Sequence, residues 1–519
     1  MPDIATHLTT TRLWASACRL FGDRPFLVQL DGDGRRSEFS YQEFAGLIHQ
    51  AARAFAAVGV GLGDRVALHL RNSPEMLTAF FGLAEIGATA VPLGLAATPA
   101  ELRQAYQASG ARWAVVESSR LDVHLALRRH DSVAAAGLLV VRDAAATLPD
   151  GVLRYETLCA GQPAEPVPDV PLSSRTVAEL LYTSGTTAAP KGVMITHANL
   201  AFSGHYGVWQ TSLRPEDRVF TTMPACHSNF QLAALTPVLV AGATLEMTEK
   251  YSASQFWEQV RQERATVVQL IAMMVRTLLL QPPSARDGQH ELREALYFMP
   301  LSTSEKTDVE RRFRLRLLNC YGSTESIGWA VTDPPQGERR WPSVGRAGLG
   351  YEVGIFDAAG RELPPGQVGE FRIKGTPGSS LMLGYFDDPA ATAATLGPHG
   401  WLRTQDEGYA DADGWFYFVD RSVNLIKRAG ENVSATEVEC VLTSHPSIAE
   451  AAVIGVPDPV RDKAVKAFVR LCPGESLTIG EIVDYCRSLL APFKVPELVE
   501  LVDDFPRTQS MKVEKRLLH

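Results

Sequence analysis

The chain has 519 residues, 45% of them hydrophobic and 21% charged, which is enough for several packed cores and points to two or more domains. Its formal net charge of -9 comes from 59 acidic against 50 basic residues without a long Lys/Arg block, a distribution that argues against a nucleic-acid partner. The longest apolar stretches are cut by Glu85 or Pro237 before they reach spanning length, so no membrane partner is expected.

The opening Met1-Pro2-Asp3-Ile4 lacks the basic-then-apolar pattern of a secretory signal, which places the protein in the cytoplasm. Seven cysteines, widely spread and without a C-x-x-C pair, read as small buried hydrophobes rather than a disulfide framework or zinc site. Over residues 11–116, amphipathic helices alternate with short apolar strands; 51–58 reads as helix and 65–70 as strand. Such alternation predicts an α/β fold with mostly parallel sheets. Pro163, Pro166, Pro168 and Pro171 mark an exposed loop before a second run of the same kind.

An apolar strand over 177–181 leads into Tyr182-Thr183-Ser184-Gly185-Thr186-Thr187-Ala188-Ala189-Pro190-Lys191-Gly192. Glycine lets backbone N–H groups approach phosphate oxygens, hydroxyls add hydrogen bonds and Lys191 supplies positive charge, so the loop is a candidate phosphate binder. A flexible polar surface loop is the plainer alternative. It is not a G-x-x-x-x-G-K-[ST] loop, because Pro190 precedes the lysine and Gly192 follows it. Further on, 251–255 and Ser302-Thr303-Ser304-Glu305 resemble capping boxes that open helices, and Ser434-Ala435-Thr436-Glu437 is a third whose helix must end before Pro446. Residues 409–419 read as a hairpin turned by Asp413-Gly414.

The phosphate-loop candidate resembles that of the adenylate-forming superfamily of acyl-CoA synthetases, peptide-synthetase adenylation domains and luciferases. Tyr321-Gly322-Ser323-Thr324-Glu325, Gly369-Glu370-Phe371-Arg372-Ile373-Lys374-Gly375 and Asp420-Arg421 through Glu439 are similar to later signatures of that superfamily, in the same order. Met223-Pro224-Ala225-Cys226-His227, Arg340-Trp341-Pro342-Ser343-Val344-Gly345 and Lys427-Arg428-Ala429-Gly430-Glu431-Asn432-Val433-Ser434 look most like crotonobetaine/carnitine-type CoA ligases.

The resemblance implies an AMP-forming ligase. It would have a large N-terminal α/β domain of stacked, mostly parallel sheets over 1–420, binding ATP and acid, and a small mobile α+β lid over 421–519. It further implies adenylation of a small carboxylic acid with release of pyrophosphate, then thioester formation, with ATP, Mg2+ and CoA as cofactor and co-substrates. Thr183, Ser184, Gly185, Thr186, Thr187 and Lys191 would hold the outer phosphates, and Glu325 would ligate Mg2+. Tyr321 and Gly322 would lie at adenine, Thr324 at the α-phosphate, Asp406 and Arg421 at the ribose. Lys512 would bridge acid and α-phosphate, and His227 would stand beside the acid pocket. Bordering segments expected there are 254–264, 298–302 and 326–329.

Four positions depart from the superfamily pattern: Gln405 stands for the glycine of Thr-Gly-Asp, Val423 for the charged hinge residue, Ala429 for a glycine beside the thiol tunnel and Met511 for the glycine before Lys512. Three of these belong to the second half-reaction. They motivate an alternative outcome without CoA: transfer to a carrier protein or amine, or a diazotase that activates nitrite with AMP for attack by an aryl amine.

Overall fold

The computed structural model describes residues 8–519 apart from 131–134, 144, 146, 169, 184–190, 299–300, 422–424, 429–430, 459–461 and 508–511. Among the described residues two large sheets dominate, one of nine strands and one of seven. The inner strands of each run parallel, as the strand and helix alternation predicts. Antiparallel strands sit at the margins, including Arg36–Ser40 on one sheet and Lys191–Thr196 on the other. One apolar core unites the two sheets: Phe26, Phe220 and Leu245 from the first pack in the same cluster as Leu68, Leu139 and Leu181 from the second.

Local chemistry sets the element ends. The helix read at 51–58 spans Tyr41–Ala57, because Ser40 and Glu43 form a reciprocal capping box well upstream. The strand read at 65–70 spans Arg65–His69. Ser302 and Glu305 cap Thr303–Phe313 as expected. Residues 251–255 do not form a capping box: Ser252 and Ser254 bond each other at 3.2 Å, and Phe256–Gln262 starts without a side-chain cap. That helix places Phe256 and Trp257 in the core, with Trp257 stacked on Phe313 at 4.4 Å. The hairpin is present as Trp401–Ala410 paired with Phe416–Arg421, and Gly414 takes the left-handed conformation of its turn at φ 80°.

The C-terminal part has its own core. Strands Ile448–Asp458, Asp462–Leu471 and Leu498–Leu501 form one sheet. Helices Ala435–Thr443 and Ile479–Leu489 close over it, burying Val438, Leu442, Val465, Val469 and Ile482 together.

A buried polar chain crosses the seven-stranded sheet's helical cover. Tyr106 donates to His124 Nδ1 at 2.8 Å, His124 Nε2 lies 2.8 Å from His69 Nδ1, and His69 Nε2 lies 3.2 Å from the Leu95 carbonyl. The carbonyl accepts only, so His69 Nε2 carries a proton and Nδ1 accepts, and the chain runs one way with both rings neutral. Burial is the main cause that pushes His69 down to about 4 and His124 to about 3. These folded values lie below the unfolded value near 6.5, so stability is full above that pH and falls as pH drops toward 4. The slope is about 1.4 kcal/mol per pH unit per ring. The urea midpoint is therefore expected to fall clearly between pH 7 and pH 5; a flat midpoint would contradict the neutral chain.

Candidate active site

Strand Val177–Thr183 runs antiparallel to Lys191–Thr196, with Thr183 opposite Lys191 in register. The predicted phosphate-loop residues Ser184, Gly185, Thr186 and Thr187 lie outside the described residues. What is fixed is the base of their loop and the lysine that closes it. Lys191 Nζ sits over the Tyr385 ring, 5.0 Å from its centroid, and the Tyr385 hydroxyl donates to Glu325 Oε1 at 3.0 Å. The loop lysine and the predicted metal carboxylate are thus joined through one side chain that the sequence did not single out.

Strand Leu317–Tyr321 delivers the next group of residues. A Cβ at Gly322 would stand 2.8 Å from the Gly328 carbonyl oxygen and 3.1 Å from Trp329 Cα, so only glycine lets this chain fold back on itself. Ile327 closes the fold-back in a strained γ-turn, with φ 60° and ψ -56°, and Gly328 N–H donates to the Ser326 carbonyl at 2.6 Å. The Tyr351 hydroxyl holds this turn: it donates to the Ser326 carbonyl at 2.6 Å and accepts from Gly328 N–H at 2.9 Å. Thr324 Oγ1 lies 3.4 Å from Ser228 Oγ, which ties the turn to the residue after His227. Phe298 and Trp329, from two of the segments expected at the acid pocket, are in ring contact at 4.4 Å.

The Tyr321 hydroxyl donates to Asp406 Oδ2 at 2.7 Å, and its ring packs 5.0 Å from Phe371 and 6.0 Å from Phe418. Asp406 is buried, and its backbone pairs with that of Arg421, whose side chain lies outside the described residues. The replaced glycine before Asp406 leaves a trace: Gln405 keeps the left-handed backbone, at φ 61°. The aspartate therefore stays in place while a residue with a Cβ carries the conformational cost. Left-handed geometry costs a non-glycine residue about 1–2 kcal/mol, and glycine's greater chain entropy offsets about half of this. Gln405→Gly is expected to raise stability by about 0.5 kcal/mol, read as a higher urea midpoint; a lower midpoint would show the side chain to be stabilising.

His227 joins the group from the other side. Its Nδ1 accepts from Asn229 N–H at 3.2 Å, so in the neutral ring the proton sits on Nε2. Burial first, and the positive charge of Lys512 second, push it down to about 4. Lys512, exposed and carried by the C-terminal part, is the second of these causes. Its arm is anchored on both sides: Arg507 and Val513 form an antiparallel bridge, and Lys515 Nζ lies 2.7 Å from Glu439 Oε1.

The structure thus brings together Lys191, Glu325, Thr324 and His227 in one region and pairs Tyr321 with Asp406. Residues Val423, Ala429 and Met511 fall outside the described residues. Sequence reasoning missed Tyr385, Tyr351 and Ser228. Ser228 could have been found as the neighbour of His227; the tyrosines belong to loops whose partners are distant in the chain.

Two mostly parallel sheets joined by one apolar core, followed by a C-terminal sheet with a core of its own, are the architecture expected of an adenylating ligase. The chain belongs to the AMP-binding enzyme family, whose model matches residues 14–386, with the AMP-binding enzyme C-terminal domain matched over 437–512. The crotonobetaine/carnitine–CoA ligase of Salmonella typhimurium strain LT2 is 42% identical over 518 residues, covering 99% of this chain and all of the relative. The Salmonella typhi ligase of the same description is also 42% identical, with the same coverage. Among solved structures, ATP-bound MatB from Rhodopseudomonas palustris superposes with a TM-score of 0.86 at 27% identity, covering 98% of each chain. The o-succinylbenzoate CoA synthetase of Bacillus subtilis, solved with its acyl-adenylate, gives 0.83 at 26% identity, covering 98% of this chain and 97% of that one.

Proposed function

We propose that the protein is an acid–CoA ligase acting through an acyl-adenylate on a small carboxylic acid. The acid's carboxylate oxygen attacks the α-phosphorus of ATP, the α–β phosphoanhydride bond breaks and pyrophosphate leaves. The CoA sulfur, as thiolate, then attacks the acyl carbon, the bond to the phosphate oxygen breaks and AMP leaves. The observation that carries this reading is the junction at Tyr385, whose ring seats the loop lysine Lys191 at 5.0 Å while its hydroxyl holds Glu325 at 3.0 Å, with Lys512 as the proposed cation of the first step. Two anions must meet in the first step, and a cation brought to their meeting point stabilises the charge that builds there.

The other residues fall into place around that step. The neutral His227 offers its Nε2 proton to the acid, and Thr324, tied to the neighbouring Ser228, serves the α-phosphate. Tyr321 and Asp406 form the nucleoside end, with the carboxylate accepting from ribose hydroxyls and Arg421 beside it. Lys191, with Thr183, Ser184, Gly185, Thr186 and Thr187, takes the outer phosphates. Glu325 fits magnesium: its Oε1 accepts from the Tyr385 hydroxyl, and the oriented carboxylate would offer a hard cation an oxygen ligand. When bound, the ion neutralises phosphate charge and orients the leaving pyrophosphate.

The division at residues 420 and 421 is part of the same proposal. It is supported by the separate C-terminal core and by the gap between the two family matches. Asp420, fully buried, accepts from Ser434 Oγ at 3.0 Å and Thr436 N–H at 2.9 Å, tying the last N-terminal strand to the first helix beyond. Seven cysteines, all free thiols, accord with a cytoplasmic setting, and among the described residues no helix is long and apolar enough to cross a membrane.

The two Salmonella relatives and the Bacillus subtilis enzyme carry CoA-ligase or CoA-synthetase descriptions, and they lend no support to a diazotase or to a carrier-protein or amine acceptor. Incubating the protein with MgATP and a panel of acids, with and without CoA, tests the proposal. Acid-dependent pyrophosphate release followed by CoA-dependent AMP and thioester is the expected result. Turnover that yields a nitrogen-linked product and no thioester overturns it.

A further inference from the structure

One segment of the chain, residues 382–386, runs between the phosphate-loop lysine and the predicted metal carboxylate and is stitched to both. Leu383 N–H donates to the Met194 carbonyl at 3.0 Å, Met194 N–H to the Gly384 carbonyl at 2.9 Å and Phe386 N–H to the Gly192 carbonyl at 2.8 Å. These bonds extend the seven-stranded sheet along the strand that begins at Lys191. At its other end, Met382 N–H donates to the Glu325 carbonyl at 2.9 Å. The segment is a splint between two parts of the site that are otherwise carried by different sheets.

Tyr385 is the side chain the splint presents. Its backbone N–H is held by Thr392 Oγ1 at 2.8 Å, and it is 7% exposed. Its hydroxyl donates to Glu325 Oε1 at 3.0 Å while Lys191 Nζ lies 5.0 Å over its ring. The two contacts use different chemistry on one rigid body. The hydroxyl fixes the rotation of a carboxylate, and the ring's negative face seats an ammonium.

We propose that Tyr385 is a positioning residue that sets Glu325 and Lys191 relative to each other, so that metal-bound outer phosphates and the loop lysine are gripped as one unit. This rests on the reading of Glu325 as the magnesium carboxylate. Removing the hydroxyl frees the carboxylate to rotate and leaves the lysine's seat intact. Removing the ring disturbs the lysine as well.

Tyr385→Phe, Tyr385→Leu and Glu325→Gln test this in the full-length protein. The readouts are the Mg2+ concentration giving half-maximal binding of a fluorescent ATP analogue, and the Mg2+ dependence of ATP–pyrophosphate exchange. Tyr385→Phe is expected to raise the required Mg2+ roughly tenfold, the scale for losing a partner that orients a metal ligand, with nucleotide affinity restored at saturating Mg2+. Tyr385→Leu is expected to weaken nucleotide binding even at saturating Mg2+. If Tyr385→Leu does not fold, the near-isosteric phenylalanine variant decides alone. A wild-type Mg2+ requirement in Tyr385→Phe, with a shifted one in Glu325→Gln, overturns the role of Tyr385 only. An unshifted requirement in Glu325→Gln overturns the metal reading itself.

Discussion

Lys512→Ala is expected to lower acid-dependent ATP–pyrophosphate exchange by about 10²- to 10³-fold, the effect of removing one preorganised charge from a developing anionic transition state. The carboxylate nucleophile and the α-phosphate repel one another, and in the proposed mechanism Lys512 relieves that repulsion. The cation is needed where two anions meet, so a synthetic acyl-AMP supplied with CoA should still give thioester at close to the wild-type rate. That split separates a lost charge from a collapsed lid. A second signature is local: without the Lys512 charge, one of the two causes holding His227 down disappears. Burial remains, so the ring should titrate above its present value of about 4 but below an exposed imidazole. Exchange within threefold of wild type would remove Lys512 from the mechanism.

How much of this could be read from the residues alone depends on whether the determining contacts were local. The alternation over residues 11–116 gave parallel sheets because helix and strand periodicity are properties of short windows, and the Asp413-Gly414 hairpin followed from a two-residue turn signal. The expected cap at 251–255 failed because Ser252 and Ser254 satisfy each other rather than the helix end. For Tyr321, Asp406, Glu325 and Lys512 the resemblance suggested roles, which the proposed function carries forward. That Tyr321 bonds Asp406 was not legible, since the contact requires the nine-stranded sheet and the four-stranded sheet to meet. Tyr385 was invisible for a similar reason. Its place beside Lys191 is set by backbone pairing of 383–386 with 192–194, and no side-chain pattern encodes that register. Gln405 shows the converse. It stands where the superfamily pattern has glycine, and its backbone is left-handed, a conformation suited to glycine.

Asp406→Ala is expected to raise the KM for ATP by roughly 10- to 100-fold, equivalent to losing charged hydrogen bonds of about 1.5–3 kcal/mol, with a smaller effect on kcat. Two losses combine in that number. The carboxylate would no longer accept from the ribose, and the Tyr321 hydroxyl would lose the acceptor it meets at 2.7 Å. Tyr321→Phe separates them, because it keeps the ring against Phe371 and removes only the phenol, and it should cost about 0.5–1.5 kcal/mol in ATP binding. If the tyrosine acts by orienting the carboxylate, the double variant will bind ATP no worse than Asp406→Ala, since the phenol has nothing left to orient. Full additivity of the two losses would mean that the 2.7 Å contact does not couple them. Nucleotides lacking a ribose hydroxyl make the assignment atom by atom: each should bind the wild-type protein more weakly than ATP, and the Asp406→Ala variant about as well as ATP does. A deoxy analogue that still distinguishes the variant from ATP would place the ribose contact on another group.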